Sequence, residues 1–348
     1  MKSRAAILVE SNAPLVIDEI EIPALQCGQV LVRVYRSGIC GAQLNEIAAL
    51  KGPDRFLPHL LGHEGGAEVV DIGPGVTHVK PGDRAVLHWR KGAGIHSATP
   101  KYRWGDKIVN SGWVTTFNEY AVVSENRVTA VPKDVDLEVA ALMGCAITTG
   151  LGLITNDAKL KIGESVLIYG AGGVGMTTIV GAALMSAWPI IAVDLYDDKL
   201  EHAQKLGATH VIHASRENVA DTVLEILSKE GIDIGIGVAV ETTGITDLIE
   251  EAYQLTGKEG RVVCVGVPHH EQDITIHSLP LHFGKTITGC EGGGPVPERD
   301  IPRYLKLHAQ NRLPCRDFVT HRFPLEQVND ALDLMRAGKA GRVVLEIE

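Results

Sequence analysis

The stretch from Ser165 to Asp194, SVLIYGAGGVGMTTIVGAALMSAWPIIAVD, restricts what this chain can fold into more than any other. Ser165 to Tyr169 is a short, β-branched apolar run, suited to a strand buried on both faces. Gly170, Gly172 and Gly175 follow in G-x-G-x-x-G spacing, and helix-compatible sequence continues to about Ala187. A second apolar run, Pro189 to Val193, ends on Asp194, nineteen residues after Gly175. Gly170 permits a tight turn, Gly172 lets the backbone approach a pyrophosphate, and Gly175 lets the helix pack close to the strand. The helix start, with Gly173 and Val174, turns free N–H groups toward the phosphates. This order predicts a dinucleotide-binding βαβ unit. Asp194, with no arginine directly behind it, favours NAD over NADP. A membrane span needs about 20 apolar residues in one helix. Three glycines and Pro189 interrupt this run and exclude that reading.

What surrounds the unit is ordinary in bulk. The 348 residues suffice for two domains, each with its own core. A hydrophobic content of 45% with 22% charged residues fits a globular chain. A formal charge of −10 and the lack of a polybasic tail argue against a nucleic-acid partner. The N-terminus, MKSRAAILVE, lacks the apolar core and cleavage site of a secretory signal. Cys27, Cys40, Cys145, Cys264, Cys290 and Cys315 show no C-x-x-C spacing, which points to reduced thiols or metal ligands in a cytoplasmic protein. No membrane or nucleic-acid partner is expected.

Before the glycine motif, short strand-like runs alternate with glycine and proline turns, among them Gln29–Tyr35, Ala67–Ile72, Arg84–Leu87 and Phe117–Val123. That pattern predicts a compact, barrel-like β domain. Residues 88–113 are the least regular part, and Leu137 to Met143 reads as a helix leading to Gly144-Cys145. After Asp194 helices and strands alternate, which builds a doubly wound parallel sheet closed by a strand near Lys285 to Cys290. The tail, too small for a domain, is expected to return to the N-terminal β domain.

Cys40, His63 and Cys145 stand at turn-like positions. Two thiolates, an imidazole and an open position make a catalytic zinc arrangement, although spacing alone also admits plain packing residues. The motifs Gly38-Ile39-Cys40-Gly41, Gly62-His63-Glu64, Lys80-Pro81-Gly82-Asp83-Arg84, Gly144-Cys145 and Gly170–Gly175 occur in order. With His321–Leu325 and Gly341–Val343 they span nearly the whole chain, which resembles the zinc-containing medium-chain alcohol dehydrogenase family. The resemblance implies a GroES-like β-rich catalytic domain and a Rossmann domain. It implies that Cys40, His63 and Cys145 hold a catalytic zinc, with Glu64 close enough to enter its shell. It puts Thr149 near the nicotinamide, Asp194 and Lys199 at the adenosine ribose, and Arg342 near the pyrophosphate. The metal would act as a Lewis acid on substrate oxygen while hydride passes between the carbinol carbon and NAD.

The chain departs from this family's pattern in two places. After Cys40, a hydroxyl residue and then an aspartate are usual; here Ala42 and Gln43 stand there, and Asn45 occupies a position often taken by a relay histidine. Gln43 is expected to accept a hydrogen bond from His63 through its amide oxygen, without charge. His88, ending a strand, is the substitute candidate for proton transfer, with bulk water as the alternative. The second departure is that residues 88–113 hold no cysteine, where relatives often carry four for a structural zinc. One catalytic zinc per chain and no structural zinc are therefore expected, with the loop held by Trp89, Tyr102, Trp104 and Trp113. Arg90, Lys91, Lys101, Arg103 and Lys107 against Asp106 make this loop a candidate receiver of an anionic substrate group.

The reading is a catalytic domain of residues 1–146 and 290–348 with an NAD-binding domain of 147–289. The substrate expected is a secondary alcohol or ketone, with a polyol, sugar or cyclitol as a guess from the loop. Homodimers or homotetramers are expected from the resemblance. The alternatives are a zinc-independent enone or quinone reductase and a non-catalytic binding protein on the same fold.

Overall fold

Strands of two to eleven residues separated by glycine turns can bury their apolar faces only by pairing with distant segments, and the resulting sheets define two units. The computed structural model describes residues 1–348. One unit comprises Met1–Thr148 with Val296–Glu348, and the other comprises Thr149–Pro295.

In the first unit Lys2–Leu8, Val16–Glu21, Lys101–Trp104, Lys107–Asn110 and His59–Leu60 close into a small barrel. Beside it lies a seven-stranded sheet in the order Val128–Val131, Arg84–Leu87, Gly65–Ile72, Gln29–Ile39, Arg342–Glu346, Val319–Pro324, with Tyr120–Ser124 also paired to Gln29–Ile39. The apolar run of Gln29–Ile39 is long because the strand is buried over most of its length. Val30, Val32, Val34 and Ile39 join one core with Leu87, Phe117, Val343 and Leu345. Each such side chain contributes roughly 1.5–3 kcal/mol when fully buried.

The register of this sheet brings distant residues together. Ser37 faces Gly65, and Ile39 faces Val343. Cys40, Glu64 and Arg342, each one residue outside these pairs, thus gather at one end of neighbouring strands. The helix Leu137–Met143 is capped by Asp136, whose carboxylate accepts from Glu138 N–H at 2.9 Å. It lies directly on the sheet because a Cβ at Gly66 would overlap the Leu137 carbonyl and one at Gly144 the Leu87 carbonyl. That close approach carries Cys145 to the same end.

Residues 88–113 are more regular than the sequence suggests. They contain the hairpin Lys101–Trp104/Lys107–Asn110, whose strands complete the barrel. Its sequence signal is weak because each four-residue strand fully buries one side chain, Tyr102 or Val109, while Lys101, Arg103 and Lys107 face outward. Of the four aromatics expected to hold the loop, Tyr102 is fully buried and Trp89 and Trp104 pack on cores. Trp113 is 41% exposed and lies against His96.

The second unit is a six-stranded parallel sheet in the order His210–His213, Ile190–Asp194, Val166–Tyr169, Ile236–Glu241, Thr256–Cys264, Thr286–Gly289. In chain order this is 3-2-1-4-5-6, the doubly wound dinucleotide-binding arrangement. Val166–Tyr169 is wholly buried, as its unbroken apolar run requires. No single helix of the chain is long and apolar enough to cross a membrane.

Candidate metal centre

Three segments deliver the donors. The strand Gln29–Ile39 ends at Cys40, which is the N-cap of the helix Gly41–Ile47. His63 and Glu64 immediately precede the strand Gly65–Ile72, and Cys145 follows the buried helix Leu137–Met143. The ligand atoms of Cys40, His63 and Cys145 all lie within 4.8 Å of one another. Donors 2.0–2.3 Å from a tetrahedral zinc sit about 3.5–3.8 Å apart, so the cluster suits that ion. Nε2 of His63 is buried and has no hydrogen-bond partner, as a nitrogen reserved for a metal would be. A hydrogen bond from Cys145 outweighs burial and, with His63 and Arg342 nearby, holds the Cys40 thiol well below its ordinary range. Thiolate character is what a metal ligand needs.

Glu64 is not part of this cluster. Its carboxylate, fully buried, pairs with the Arg342 guanidinium and accepts from Ala146 N–H at 3.3 Å. Both Glu64 oxygens thus have partners, Arg342 and the Ala146 N–H. Arg342 is 3% exposed and lies by Cys40 and Glu64.

Gln43 also differs from expectation. Its Oε1 accepts from Cys40 N–H at 2.9 Å, so its NH2 group, not its oxygen, meets His63 Nδ1 at 2.7 Å. His88 is 2% exposed with both nitrogens engaged, Nδ1 by the Arg90 carbonyl at 2.7 Å and Nε2 by the Thr129 hydroxyl at 2.9 Å. Burial pushes its pKa down to about 4. A proton-shuttling role for His88 is therefore corrected: the ring is neutral and has no nitrogen free for a substrate. Trp89, expected from the sequence to help hold the loop, also stands edge-on to His63 with ring centroids 6.4 Å apart.

In the second unit the glycine loop has the expected form. Gly170 adopts φ +89°, a left-handed conformation that favours glycine. Gly172 is the N-cap of the helix Gly173–Leu184, and a Cβ there would meet nothing within 4 Å. At Gly175 a Cβ would overlap the Gly170 carbonyl. The helix start thus leaves open space at Gly172, with Gly173 and Val174 half-buried and Gly175 buried behind it. Asp194 ends its strand and braces the turn, accepting from Ala171 N–H at 2.8 Å and from Leu195 N–H at 2.7 Å. A carboxylate has about four acceptor sites, so capacity remains for a ribose hydroxyl. Lys199 lies over the Tyr196 ring at 5.0 Å, and Thr149 is buried in the helix Ala146–Gly152.

Comparison with known proteins agrees with this geometry. Residues 26–133 match the alcohol dehydrogenase GroES-like domain, and residues 173–310 match the zinc-binding dehydrogenase model. The chain is 30% identical over 372 residues to an S-(hydroxymethyl)glutathione dehydrogenase of Escherichia coli, covering 99% of this chain and 100% of that protein. It is 30% identical over 375 residues to alcohol dehydrogenase 1 of Trifolium repens, covering 100% of this chain and 98% of that one. Among solved structures it is similar to benzyl alcohol dehydrogenase from Acinetobacter calcoaceticus, with a TM-score of 0.89, 28% identity and full coverage of both chains. A Cys-His-Cys cluster in one unit, a doubly wound glycine-loop sheet in the other and these likenesses along the full length place the chain in the zinc-containing medium-chain alcohol dehydrogenase family.

Proposed function

We propose that this chain is an NAD-dependent, zinc-dependent alcohol dehydrogenase acting on a secondary alcohol or its ketone, with a polyol, sugar or cyclitol as the preferred class. One observation carries the reading: two thiols and an imidazole from three separate segments converge within 4.8 Å. When bound, zinc would supply Lewis acidity toward the substrate oxygen and NAD would supply the hydride acceptor.

The chain's own residues do the rest. Cys40, His63 and Cys145 hold the metal. Glu64 neutralises Arg342 and, through the Ala146 N–H, steadies the segment that carries Cys145. Gly170, Gly172, Gly173, Val174 and Gly175 cradle the pyrophosphate. Asp194 and Lys199 hold the adenosine ribose, and Thr149 borders the nicotinamide. Trp89 forms an apolar wall beside His63 that excludes water and presents a face for a sugar or cyclitol ring. With Ala42 and Asn45 unable to relay a proton and His88 fully engaged, the alcohol proton passes to bulk water.

Finer points belong to the same proposal. Residues 1–146 and 290–348 act as the catalytic domain and 147–289 as the NAD-binding domain. One zinc binds per chain, supported by the absence of cysteine from residues 88–113. Arg90, Lys91, Lys101, Arg103 and Lys107 support a substrate carrying an anionic group. The enzyme works in the cytoplasm as a homodimer or homotetramer. A second reading, an aromatic alcohol, is favoured by Trp89 against His63 and by the likeness to benzyl alcohol dehydrogenase.

NADH formation across secondary alcohols, polyols, benzyl alcohol and S-(hydroxymethyl)glutathione tests these readings. Turnover of secondary alcohols with NAD is expected, and Cys145→Ala should abolish it together with bound zinc. Retention of both turnover and metal by Cys145→Ala would overturn the assignment. The highest kcat/KM on benzyl alcohol would select the second reading.

A further inference from the structure

We propose that Gln43 is a positioning residue that fixes the ring proton of His63 on Nε2 in the metal-free protein, and so keeps zinc affinity below what a carboxylate at this position would give. The inference rests on the zinc reading above.

The argument starts from a donor that cannot change. The Cys40 backbone N–H can only donate, and it meets the Gln43 side chain at 2.9 Å, so the atom it meets is the amide oxygen. The same contact closes the N-terminal turn of the helix Gly41–Ile47, and Gln43 is buried there at 1% exposure. The other end of the amide is then NH2, and it stands 2.7 Å from His63 Nδ1. An amide NH2 only donates, so Nδ1 accepts and the neutral ring carries its proton on Nε2.

Nε2 is the nitrogen left for the cluster, buried and without a hydrogen-bond partner. A metal takes the lone pair of a neutral imidazole, so this nitrogen must lose its proton to Nδ1 before it can ligate. Metal-bound histidines ordinarily donate their other N–H to a carboxylate, a carbonyl or water. Here the receiving group would be the Gln43 NH2. Turning the amide over supplies its oxygen to Nδ1–H but sets NH2 against the Cys40 N–H, donor against donor. One of the two hydrogen bonds is lost in the metal-bound state whichever way the amide lies. Glutamate has the same length and two acceptor oxygens, and Gln43→Glu satisfies the Cys40 N–H and His63 Nδ1–H together.

The test compares full-length wild type with Gln43→Glu. Zinc affinity is read by competition with a chromophoric chelator, zinc release is timed in excess EDTA, and the His63 ring of metal-free wild type is read by 15N–1H correlation. Outer partners of metal-bound histidines typically change affinity about 10–100-fold. Gln43→Glu is therefore expected to bind zinc at least about tenfold more tightly and to release it more slowly. Metal-free wild type is expected to carry its ring proton on Nε2. Equal or weaker zinc binding by folded Gln43→Glu, or a ring proton on Nδ1 in metal-free wild type, overturns the inference and leaves the zinc centre standing. Should Gln43→Glu fail to fold, the ring spectrum of wild type decides. Failure of wild type and Gln43→Glu alike to bind zinc overturns the zinc reading itself.

Discussion

The Glu125 carboxylate accepts the Ile95 N–H at 2.7 Å on one oxygen, while its other oxygen takes the Thr77 N–H at 2.6 Å and the His78 N–H at 2.9 Å. A single side chain, 1% exposed, thereby ties the turn at residues 73–78 to the segment that follows Trp89. Glu125→Gln keeps the size but offers one acceptor oxygen, and sets NH2 against backbone N–H groups. Hydrogen bonds to a buried charged group contribute roughly 1.5–3 kcal/mol each. A loss of about 3 kcal/mol is expected, seen as a lower urea midpoint of the unit that holds residues 88–113, with zinc content unchanged.

The same group predicts a pH signature. Burial alone would raise the Glu125 carboxyl, but hydrogen bonds from Ile95, Thr77 and His78 outweigh it and hold the pKa below the ordinary value. A depressed carboxylate stabilises the fold above its unfolded pKa of about 4.3, and the gain is lost as pH falls through the folded value. The Tm difference between wild type and Glu125→Gln should shrink as pH falls below about 4.

His88 acts over a different window. Burial holds its folded pKa at about 4, below the 6.5 of an unfolded histidine, so between these the unfolded chain binds the extra proton. The neutral ring therefore contributes stability above pH 6.5 that is lost progressively toward pH 4. At about 1.4 kcal/mol per unit the span amounts to about 3 kcal/mol. His88→Gln should flatten the stability profile across this window while leaving the pH dependence of kcat unchanged. A kcat profile that loses an ionisation in His88→Gln would restore the shuttle role.

The glycine loop separates steric from binding effects. A Cβ at Gly172 meets nothing, whereas one at Gly175 runs into the Gly170 carbonyl. Gly172→Ala is expected to shift Tm by no more than about 1–2 °C and to weaken NAD binding at least about tenfold, or about 1.4 kcal/mol. Gly175→Ala should lower Tm before any cofactor is added. Equal NAD affinity in Gly172→Ala and wild type, by fluorescence titration, would show that the open space is not the pyrophosphate cradle.

On the proposed reading, Asp194 sets the choice of cofactor. Asp194→Asn keeps an oxygen for the Ala171 N–H but removes the charge offered to the ribose. Affinity for NAD is expected to fall about tenfold, and the preference for NAD over NADP to narrow, in paired titrations.

Much of the architecture was legible in the chain itself. A buried parallel strand must be apolar on both faces, and a tight turn with positive φ favours glycine, so the strand Val166–Tyr169, the glycine turn after it and the strand ending on Asp194 were legible locally. Cys40, His63 and Cys145 were nameable for a different reason: thiol and imidazole chemistry is rare and was carried by motifs in order. What the linear chain could not decide were partnerships made by sheet register and by the orientation of side chains. Arg342 reaches Glu64 only because Val343 pairs with Ile39, and the hairpin Lys101–Asn110 is regular only because the barrel supplies neighbours for its buried face. Gln43 could have turned either end of its amide toward His63. The Cys40 N–H, a donor fixed by the start of a helix, made that choice, and hydrogen bonds of this kind exist only once the backbone is folded.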